Sequence, residues 1–183
     1  DNDCLKALSN GEVDIVLGVI KNNEFKDQST ESISQSSIIM ITDKKHTDLL
    51  NSEKNNNIIT VLEDGTISYS YIQSMKNVRY IVVSNQLRAF EILLTDQADF
   101  LIGVKNSILY QLEKANIDDR YTVVVNYMVP IEYTILTKKG DYDLKYLLNN
   151  ELQRMRISGE YTKIYEKWIN EDKYIVRKIW DSL

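Results

Sequence analysis

One pattern occurs twice in this chain and constrains its fold more than any other feature. Residues 11–26 (GEVDIVLGVIKNNEFK) and 96–110 (DQADFLIGVKNSILY) each contain a turn, an acidic residue (Asp14 or Asp99) and an apolar run that ends at a glycine. This order predicts a helix end, a tight turn, a buried strand and a loop at the carboxyl end of the strand. Ligands bind outside the carboxyl ends of strands in open α/β sheets. Two copies therefore predict two α/β lobes that face one cleft, which is more typical of binding than of catalysis.

The composition is that of a folded, acidic protein. With 183 residues, 43% hydrophobic and 27% charged, the chain suffices for one large domain or two small lobes. The net charge of -5 argues against nucleic-acid binding, which needs a basic patch. No apolar run approaches the ~20 residues that span a bilayer, so we expect a soluble piece of a larger protein. Cys4, the only cysteine, excludes an internal disulfide and is interpreted as a buried inert thiol rather than a reactive one.

Strand-like and helix-like segments alternate along the chain, which predicts parallel sheets built from βαβ units. Pro130, the only proline, separates two strand-like runs and marks a hinge or an edge bend. The predicted strands are Val13–Leu17, Ile38–Thr42, Ile58–Leu62, Arg79–Val83, Ala98–Ile102, Tyr121–Val125 and Ile131–Leu136. One predicted helix ends near Gly11. Five further helices are predicted to span residues 66–76, Gln86–Thr95, Ser107–Ala115, Asp143–Ile157 and Glu160–Asn170.

Several short motifs match a known family in the same order. Leu8, Gly11 and Asp14 match an L-x-x-G-x-x-D turn, and residues 61–66 match a strand followed by Gly-Thr. The longest match, near the C-terminus, comprises Leu144, Leu148, Asn149, Leu152, Gly159, Tyr161, Ile164, Lys167 and Trp168. Over roughly residues 5–170 the chain resembles the type II periplasmic solute-binding proteins of family 3 (amino-acid-binding-like) and the sensor domains derived from them.

The resemblance implies an α/β fold of two lobes, the Venus flytrap arrangement. Lobe 1 would comprise residues 1–42 plus 129–183, and lobe 2 would comprise residues 43–128. Family members open with a strand, a helix and a further strand that are absent from this sequence, so lobe 1 is expected to be incomplete. Because an open sheet edge invites pairing with another chain, we expect a homodimer or a segment that shields this edge.

Two positions that hold the ligand in the family have changed here. The arginine that grips the ligand carboxylate is matched by Lys26, a point charge without a planar fork; a solvated loop lysine is the alternative interpretation. The aspartate that binds the ligand ammonium is matched by Val104, which cannot balance a charge. The resemblance therefore implies an organic acid rather than a plain amino acid as the ligand, or an empty cleft.

The turn at Gly65 and Thr66 keeps the family pattern. The helix that follows presents free N–H groups, which favour an anion, and a simple N-cap role for Thr66 is compatible with this. The predicted ligand-binding set is Ile20, Asn23, Lys26, Gly65, Thr66 and Val104.

No group of residues points to catalysis or to a metal. His46 is the only histidine, and no His/Cys pair, G-x-S-x-G or phosphate-binding glycine motif accompanies it. Asp14 and Asp99 begin predicted strands, where turn or helix-end roles are more common than acid–base chemistry. No catalytic residue, metal ligand or cofactor is therefore predicted.

The leading hypothesis from the sequence is an extracytoplasmic small-molecule-sensing domain of a membrane receptor, of the histidine-kinase or diguanylate-cyclase type. It would signal by hinge closure and be tethered to the cytoplasmic membrane by regions outside this chain. The sensor is favoured because both ligand anchors have changed although the fold motifs remain. The alternatives are the solute-binding component of an ABC importer and, in another class, a prephenate or arogenate dehydratase-like enzyme.

Overall fold

The computed structural model describes residues 2–51, 58–73, 79–117 and 119–168. The chain divides into two compact units: of the described residues, unit 1 holds those up to Ser36 and residues 130–168, and unit 2 holds those within Ser37–Val129. The first boundary lies a few residues before the lobe boundary predicted after Thr42. The extents of the lobes and the incompleteness of lobe 1 remain predictions.

The elements follow one another in a mixed α/β order. They are α1 (Asn2–Asn10), β1 (Ile15–Ile20), β2 (Ser34–Asp43), a 3₁₀ helix (Lys44–Asn51), β3 (Ile59–Glu63), α2 (Ile67–Gln73), β4 (Arg79–Val83), α3 (Gln86–Leu94), β5 (Phe100–Val104), α4 (Lys105–Lys114), β6 (Tyr121–Thr137), α5 (Tyr142–Ser158) and α6 (Glu160–Trp168).

In unit 1, helix α1 ends at Gly11, as the sequence predicts. Gly11 adopts a left-handed conformation with φ of 79°, which a glycine reaches without steric cost. Its N–H donates to the carbonyl of Leu8 at 3.2 Å, and the N–H of Glu12 donates to the carbonyl of Ala7 at 2.9 Å. These bonds satisfy carbonyl groups of the last helical turn and direct the chain into β1.

Strand β1 continues beyond Leu17, where the sequence-based strand ends. It pairs antiparallel with β6, with Ile15 opposite Thr137, and the register shifts between Leu17 and Val19. Gly18 lies at this shift with φ of 76°, so it accommodates a β-bulge. The prediction that the apolar run ends the strand at Gly18 was wrong, because a bulge lets the strand bend without ending.

The C-terminal helices belong to unit 1. Gly159, with φ of 76°, separates α5 from α6, which confirms the predicted break. The side-chain oxygen of Asn149 accepts a hydrogen bond from the N–H of Glu31 at 2.8 Å, and the hydroxyl of Tyr161 donates to the carbonyl of Ile33 at 3.1 Å. These contacts hold α5 and α6 against the segment that leads into β2.

Unit 2 contains the parallel arrangement that the sequence predicts. Its hydrogen-bonded strand order is β2-β5-β3-β4; β3 runs parallel to both β4 and β5, whereas β2 runs antiparallel to β5. Helices α2, α3 and α4 follow β3, β4 and β5 in the chain. The carboxyl ends of three parallel strands and the starts of three helices therefore lie at one edge of this sheet.

A hydrophobic core fixes this edge in place. The buried apolar residues of α3 and α4 pack against the strands, and a fully buried Leu, Ile or Phe side chain contributes about 1.5–3 kcal/mol. The core cluster comprises Ile39, Ile41, Val61, Ala89, Phe90, Ile92, Leu93, Ala98, Leu101, Ile108, Leu109, Leu112 and Tyr121.

The two strand-like runs on either side of Pro130 form one strand, β6, rather than the two strands predicted. Proline interrupts a strand only where its missing N–H is needed for a ladder bond. Pro130 is exposed and lies at the second unit boundary, so β6 carries the chain from one unit to the other.

Candidate ligand-binding site

A pocket of about 60 Å³ lies in unit 2 at the carboxyl ends of β3 and β5. This is the edge at which ligands bind in open α/β sheets. The lining combines a charged residue at the end of β3, neutral polar residues of α2, α3, α4 and the turn before α2, and apolar residues of β5 and α3. The residues that line the pocket are Glu63, Thr66, Ser68, Gln86, Ala89, Leu101, Ile102, Gly103, Val104 and Ser107.

A tight turn after β3 places the first polar groups. Gly65 has φ of 66°, and its N–H donates to the side chain of Asp64 at 2.8 Å. The hydroxyl of Thr66 donates to the carbonyl of Glu63 at 2.7 Å, which closes the turn over the end of the strand. The Asp64-Gly65 turn predicted from the sequence is thus present, and it connects Glu63, the last residue of β3, to the start of α2.

Glu63 is the one charged residue among those that line the pocket. Its side chain is partly buried, and burial raises the pKa of this carboxyl group above its usual value. In the part of the chain that the structure describes, no cation pairs with it. The pocket therefore presents a carboxylate whose ionised form is destabilised by its surroundings.

Ser68 and Gln86 add neutral polar groups. Ser68 is 1% exposed, and its hydroxyl oxygen has no hydrogen-bond partner among the described residues. Buried polar groups are paired in the great majority of cases, so an unpaired hydroxyl in a pocket wall is informative. Gln86 begins α3 and brings an amide, which can both donate and accept, to the same pocket.

The floor of the pocket depends on Gly103. A Cβ atom at this position would lie 3.2 Å from Cδ1 of Ile108 and 3.7 Å from Nε2 of Gln86. Glycine therefore permits close packing of β5 against the start of α4. Val104 follows at the N-cap position of α4 and provides no side-chain cap, so its apolar side chain is available to the pocket.

The structure brings together only part of the ligand-binding set predicted from the sequence. Thr66 and Val104 line the same pocket, and Gly65 forms the turn beside it. Ile20, Asn23 and Lys26 belong to unit 1 and do not line this pocket; the sequence missed Glu63, Ser68, Gln86 and Ser107. The rule that ligands bind at the carboxyl ends of parallel strands would have drawn attention to Glu63.

Thr66 has both a capping position and a turn function. Its carbonyl accepts from the N–H groups of Tyr69 at 3.0 Å and Ser70 at 3.3 Å, which places Thr66 at the N-cap of α2. Its hydroxyl, however, donates to Glu63 instead of accepting from a helix N–H. The contact with a ligand anion remains a prediction.

Lys26 lies in a turn of unit 1 and is exposed. The N–H of Phe25 donates to the side chain of Asn22 at 3.1 Å, and the N–H of Gln28 donates to the carbonyl of Phe25 at 3.0 Å. The carbonyl of Lys26 accepts from the side chain of Lys145 at 3.5 Å. These bonds fix the backbone of the turn, and the role of the Lys26 ammonium group in binding stays a prediction.

Unit 1 has a more open pocket of about 370 Å³ beside α5 and α6, which Ser32, Gln35, Arg156, Tyr161 and Tyr165 line. Arg156 forms an ion pair with Glu31 at 2.6 Å and lies over the ring of Tyr161 at 5.5 Å. Tyr161 also stacks on Tyr165 with ring centroids 6.0 Å apart. The Arg156 charge is thus compensated within the protein, which makes this pocket a weaker candidate.

Asp14, Asp99 and His46, which the sequence analysis considered for catalysis or metal binding, form structural contacts. One carboxylate oxygen of Asp99 accepts from the N–H of Ile59 at 2.9 Å, and the other lies 4.0 Å from Nδ1 of His46. Asp14 pairs with Lys138 at 3.1 Å. Among the described residues, no cluster of three or more potential ligands could hold a metal ion.

Two further observations concern the exposure of Cys4 and the helices of the described residues. Cys4 is exposed, so the expectation of a buried thiol was wrong; it lies on α1, whose buried face is formed by Leu8. Within residues 2–51, 58–73, 79–117 and 119–168, no helix has the length and apolar character needed to cross a bilayer.

The mixed α/β units and the pocket at strand ends fit the type II periplasmic solute-binding fold. The family model of the bacterial extracellular solute-binding proteins, family 3, matches residues 2–171. The chain belongs to this family, as its sequence motifs indicate.

The ABC transporter glutamine-binding protein GlnH of Bacillus subtilis (strain 168) is similar in sequence to this chain. It is 27% identical to this chain over 175 residues, which are 92% of this chain and 62% of the relative. The chain thus spans less than two thirds of the length of this relative.

Solved structures show the same fold. The putative binding component of an ABC transporter from Wolinella succinogenes DSM 1740, complexed with lysine, has a TM-score of 0.79 at 18% identity and covers 95% of this chain and 77% of that chain. The ancestral amino acid-binding protein AncCDT-1, a precursor of cyclohexadienyl dehydratase, has a TM-score of 0.73 at 23% identity and covers 91% and 73%. At these identities the likeness concerns the fold alone.

Proposed function

We propose that this chain binds a small solute outside the cytoplasmic membrane, as the binding component of an ABC importer. Family membership supports solute binding and an extracytoplasmic location, and the glutamine-binding relative supports the importer role. The sensor that we favoured from the sequence becomes the second candidate. None of the named relatives above supports a receptor, and membrane tethering remains a part of that second proposal.

The observation that carries this proposal is the pocket at the ends of β3 and β5. It joins an ionisable group (Glu63) and an unpaired hydroxyl (Ser68) to an apolar floor, which is formed by Leu101, Ile102 and Val104 of β5. Binding sites combine mostly apolar walls with a few convergent polar groups in this manner. With one ionisable group among its described lining residues, the pocket lacks the acid–base pair that general acid–base catalysis commonly employs, so binding is favoured over the dehydratase alternative.

A thermal-shift screen with amino acids, amines and organic acids tests solute binding. A solute at a hundredfold excess over its dissociation constant stabilises the protein by about 2.7 kcal/mol, which raises Tm by roughly 5–10 °C for a chain of this size. Ser107→Trp fills the pocket from an exposed position and should abolish the shift. Ser70→Trp, at an exposed position of α2 outside the pocket lining, is the control and should preserve it.

The sensor keeps one specific argument, which is Val104 in the place of the family aspartate. A changed anchor is compatible with a receptor that has acquired another ligand. If the importer role is right, deleting the gene of this protein from its native cells, with the permease left intact, should abolish uptake of the solute. Unchanged uptake, together with a kinase or cyclase domain in the same gene, would favour the sensor.

A further inference from the structure

The charge of the pocket differs from the charge expected for an organic-acid site. Glu63 is the single charged group among the residues that line the pocket, and no Lys or Arg side chain contributes to that lining. A carboxylate ligand placed here would meet a like charge in a partly dry space, which is unfavourable. A ligand cation would meet an opposite charge without competition from a basic side chain of the lining.

Glu63 occupies the position that could compensate for Val104. Strands β3 and β5 are parallel neighbours, with Thr60 opposite Phe100 and Val61 opposite Leu101. Glu63 ends β3 two residues beyond this pairing, and Gly103 and Val104 end β5; all three line the same pocket. A carboxylate on β3 can therefore reach the same space as an acceptor at the end of β5.

The hydroxyl of Ser68 provides a second and independent indication of a ligand. Ser68 is 1% exposed, and its Oγ has no hydrogen-bond partner in the described part of the chain. A hydroxyl can accept a hydrogen bond from a cationic N–H group. Its place in the lining of the same pocket as Glu63 gives a ligand two acceptors of different charge.

The size of the pocket limits what can enter it. Its volume of about 60 Å³ is several times the ~10–15 Å³ that one water molecule requires. An ammonium or a guanidinium head group fits this space.

We propose that Glu63 and Ser68 together bind the cationic head group, an ammonium or a guanidinium, of the transported solute. This inference rests on the proposed solute-binding function and names the chemistry of that site. It departs from the organic acid expected from the sequence, since Glu63 supplies the negative charge that Val104 cannot. The apolar floor then contacts the methylene groups next to the head group.

Isothermal titration of the purified chain tests this proposal with four probes. Putrescine carries two terminal ammonium groups, and L-arginine carries a side-chain guanidinium besides its α-ammonium group. L-norleucine has the α-ammonium group as its sole cation, and glutarate carries no cation. At least one cationic probe should bind the wild-type chain, and Glu63→Gln should weaken that binding about 10- to 100-fold, as expected for a charge-assisted hydrogen bond. L-norleucine then distinguishes an α-ammonium group from a side-chain cation as the bound head group.

Asp64→Asn is the matched control. It removes the same charge one residue away at an exposed position, and the amide oxygen of asparagine can still accept from the N–H of Gly65. Binding that is unchanged in Asp64→Asn but weakened in Glu63→Gln supports a direct contact with Glu63. Equal weakening in both variants would reduce the effect to the general negative potential of this surface and overturn the proposal.

The pH dependence gives a readout that a merely structural role of Glu63 would not move. Affinity for the cationic probe should fall as the pH decreases through the pKa of Glu63, and Glu63→Gln should show no such step between about pH 4 and pH 8. If glutarate or an uncharged solute binds and Glu63→Gln leaves its affinity unchanged, the cation proposal fails although solute binding stands. If no solute in the screen or among the probes binds, the proposed function itself fails.

Discussion

Replacing Ser68 by alanine should make the unliganded protein more stable and its ligand binding weaker. Most substitutions of buried residues destabilise a protein, so the opposite sign is a sharp test. The prediction follows from the burial of Ser68 and from its hydroxyl, which has no partner among the described residues.

The expected magnitude follows from the cost of the hydroxyl group. A buried polar group without a hydrogen bond costs about 1–3 kcal/mol, and alanine differs from serine by this one oxygen atom. Alanine also has a higher helix propensity, by less than about 0.7 kcal/mol, which favours the substitution in α2. Because the removed oxygen leaves a small void that offsets part of the gain, we expect the free energy of unfolding to rise by about 1–2 kcal/mol. The corresponding increase in Tm is roughly 2–8 °C.

Denaturant and thermal unfolding of the unliganded variant measure the stability, and titration with the best ligand of the screen measures binding. Tyr121→Phe is the matched control, since Tyr121 is 1% exposed and its hydroxyl also has no partner among the described residues, yet it does not line the pocket. Both variants should be more stable than the wild type. Only Ser68→Ala should weaken binding, by about five- to tenfold for the loss of one hydrogen bond.

The reasoning is refuted if Ser68→Ala lowers the Tm while Tyr121→Phe raises it. That result would mean that the Ser68 hydroxyl is already paired in the unliganded protein. Equal ligand affinities of the wild type and Ser68→Ala would separately remove Ser68 from the binding site.

Three further substitutions test the description of unit 2. Glu63→Gln should raise the stability at neutral pH, because burial raises the pKa of Glu63 in the folded state and stability is lost as the pH rises through that pKa; the advantage should disappear in unfolding experiments at acidic pH. Gly103→Val should cost about 1–3 kcal/mol and abolish ligand binding, since even a Cβ atom there lies 3.2 Å from Ile108; an unchanged Tm and affinity would contradict this packing. Asp43→Asn should flatten the loss of stability at low pH, since burial opposes ionisation of Asp43 but is outweighed by a backbone N–H and the guanidinium of Arg120, which hold the pKa of Asp43 below its usual value, so its contribution is lost as the pH falls through that pKa. Acid unfolding midpoints that are identical in wild type and Asp43→Asn would exclude this contribution.

Local features of the fold could be predicted from the sequence because they depend on neighbours along the chain. Strand β4 has the bounds that its apolar run predicts, Arg79–Val83, and α1 ends at Gly11 because only glycine adopts that left-handed conformation easily. The alternation of strands and helices likewise predicts the parallel part of unit 2. The spacing of motifs was sufficient to indicate the family.

Features that depend on strand pairing could not be predicted in this manner. The apolar run of β1 has the same appearance whether Gly18 ends the strand or forms a bulge, and only the pairing with β6 distinguishes the two. Pro130 interrupts the sequence pattern of two runs, yet the strand continues through it. In both cases the decisive hydrogen bonds join residues that are far apart in the sequence.

The sequence by itself determined that this chain forms α/β units of a solute-binding family, because periodicity and glycine positions are local properties. It also located Thr66 and Val104 beside a ligand edge, but it interpreted their surroundings as a site for an anion. Only the tertiary structure decided that Glu63 and Ser68 join Val104 in one pocket, because burial and charge depend on which strands are neighbours. The pairing of β3 with β5 places Glu63 in one pocket with a residue some 40 positions away in the chain, which supports the proposed change from an anionic to a cationic ligand.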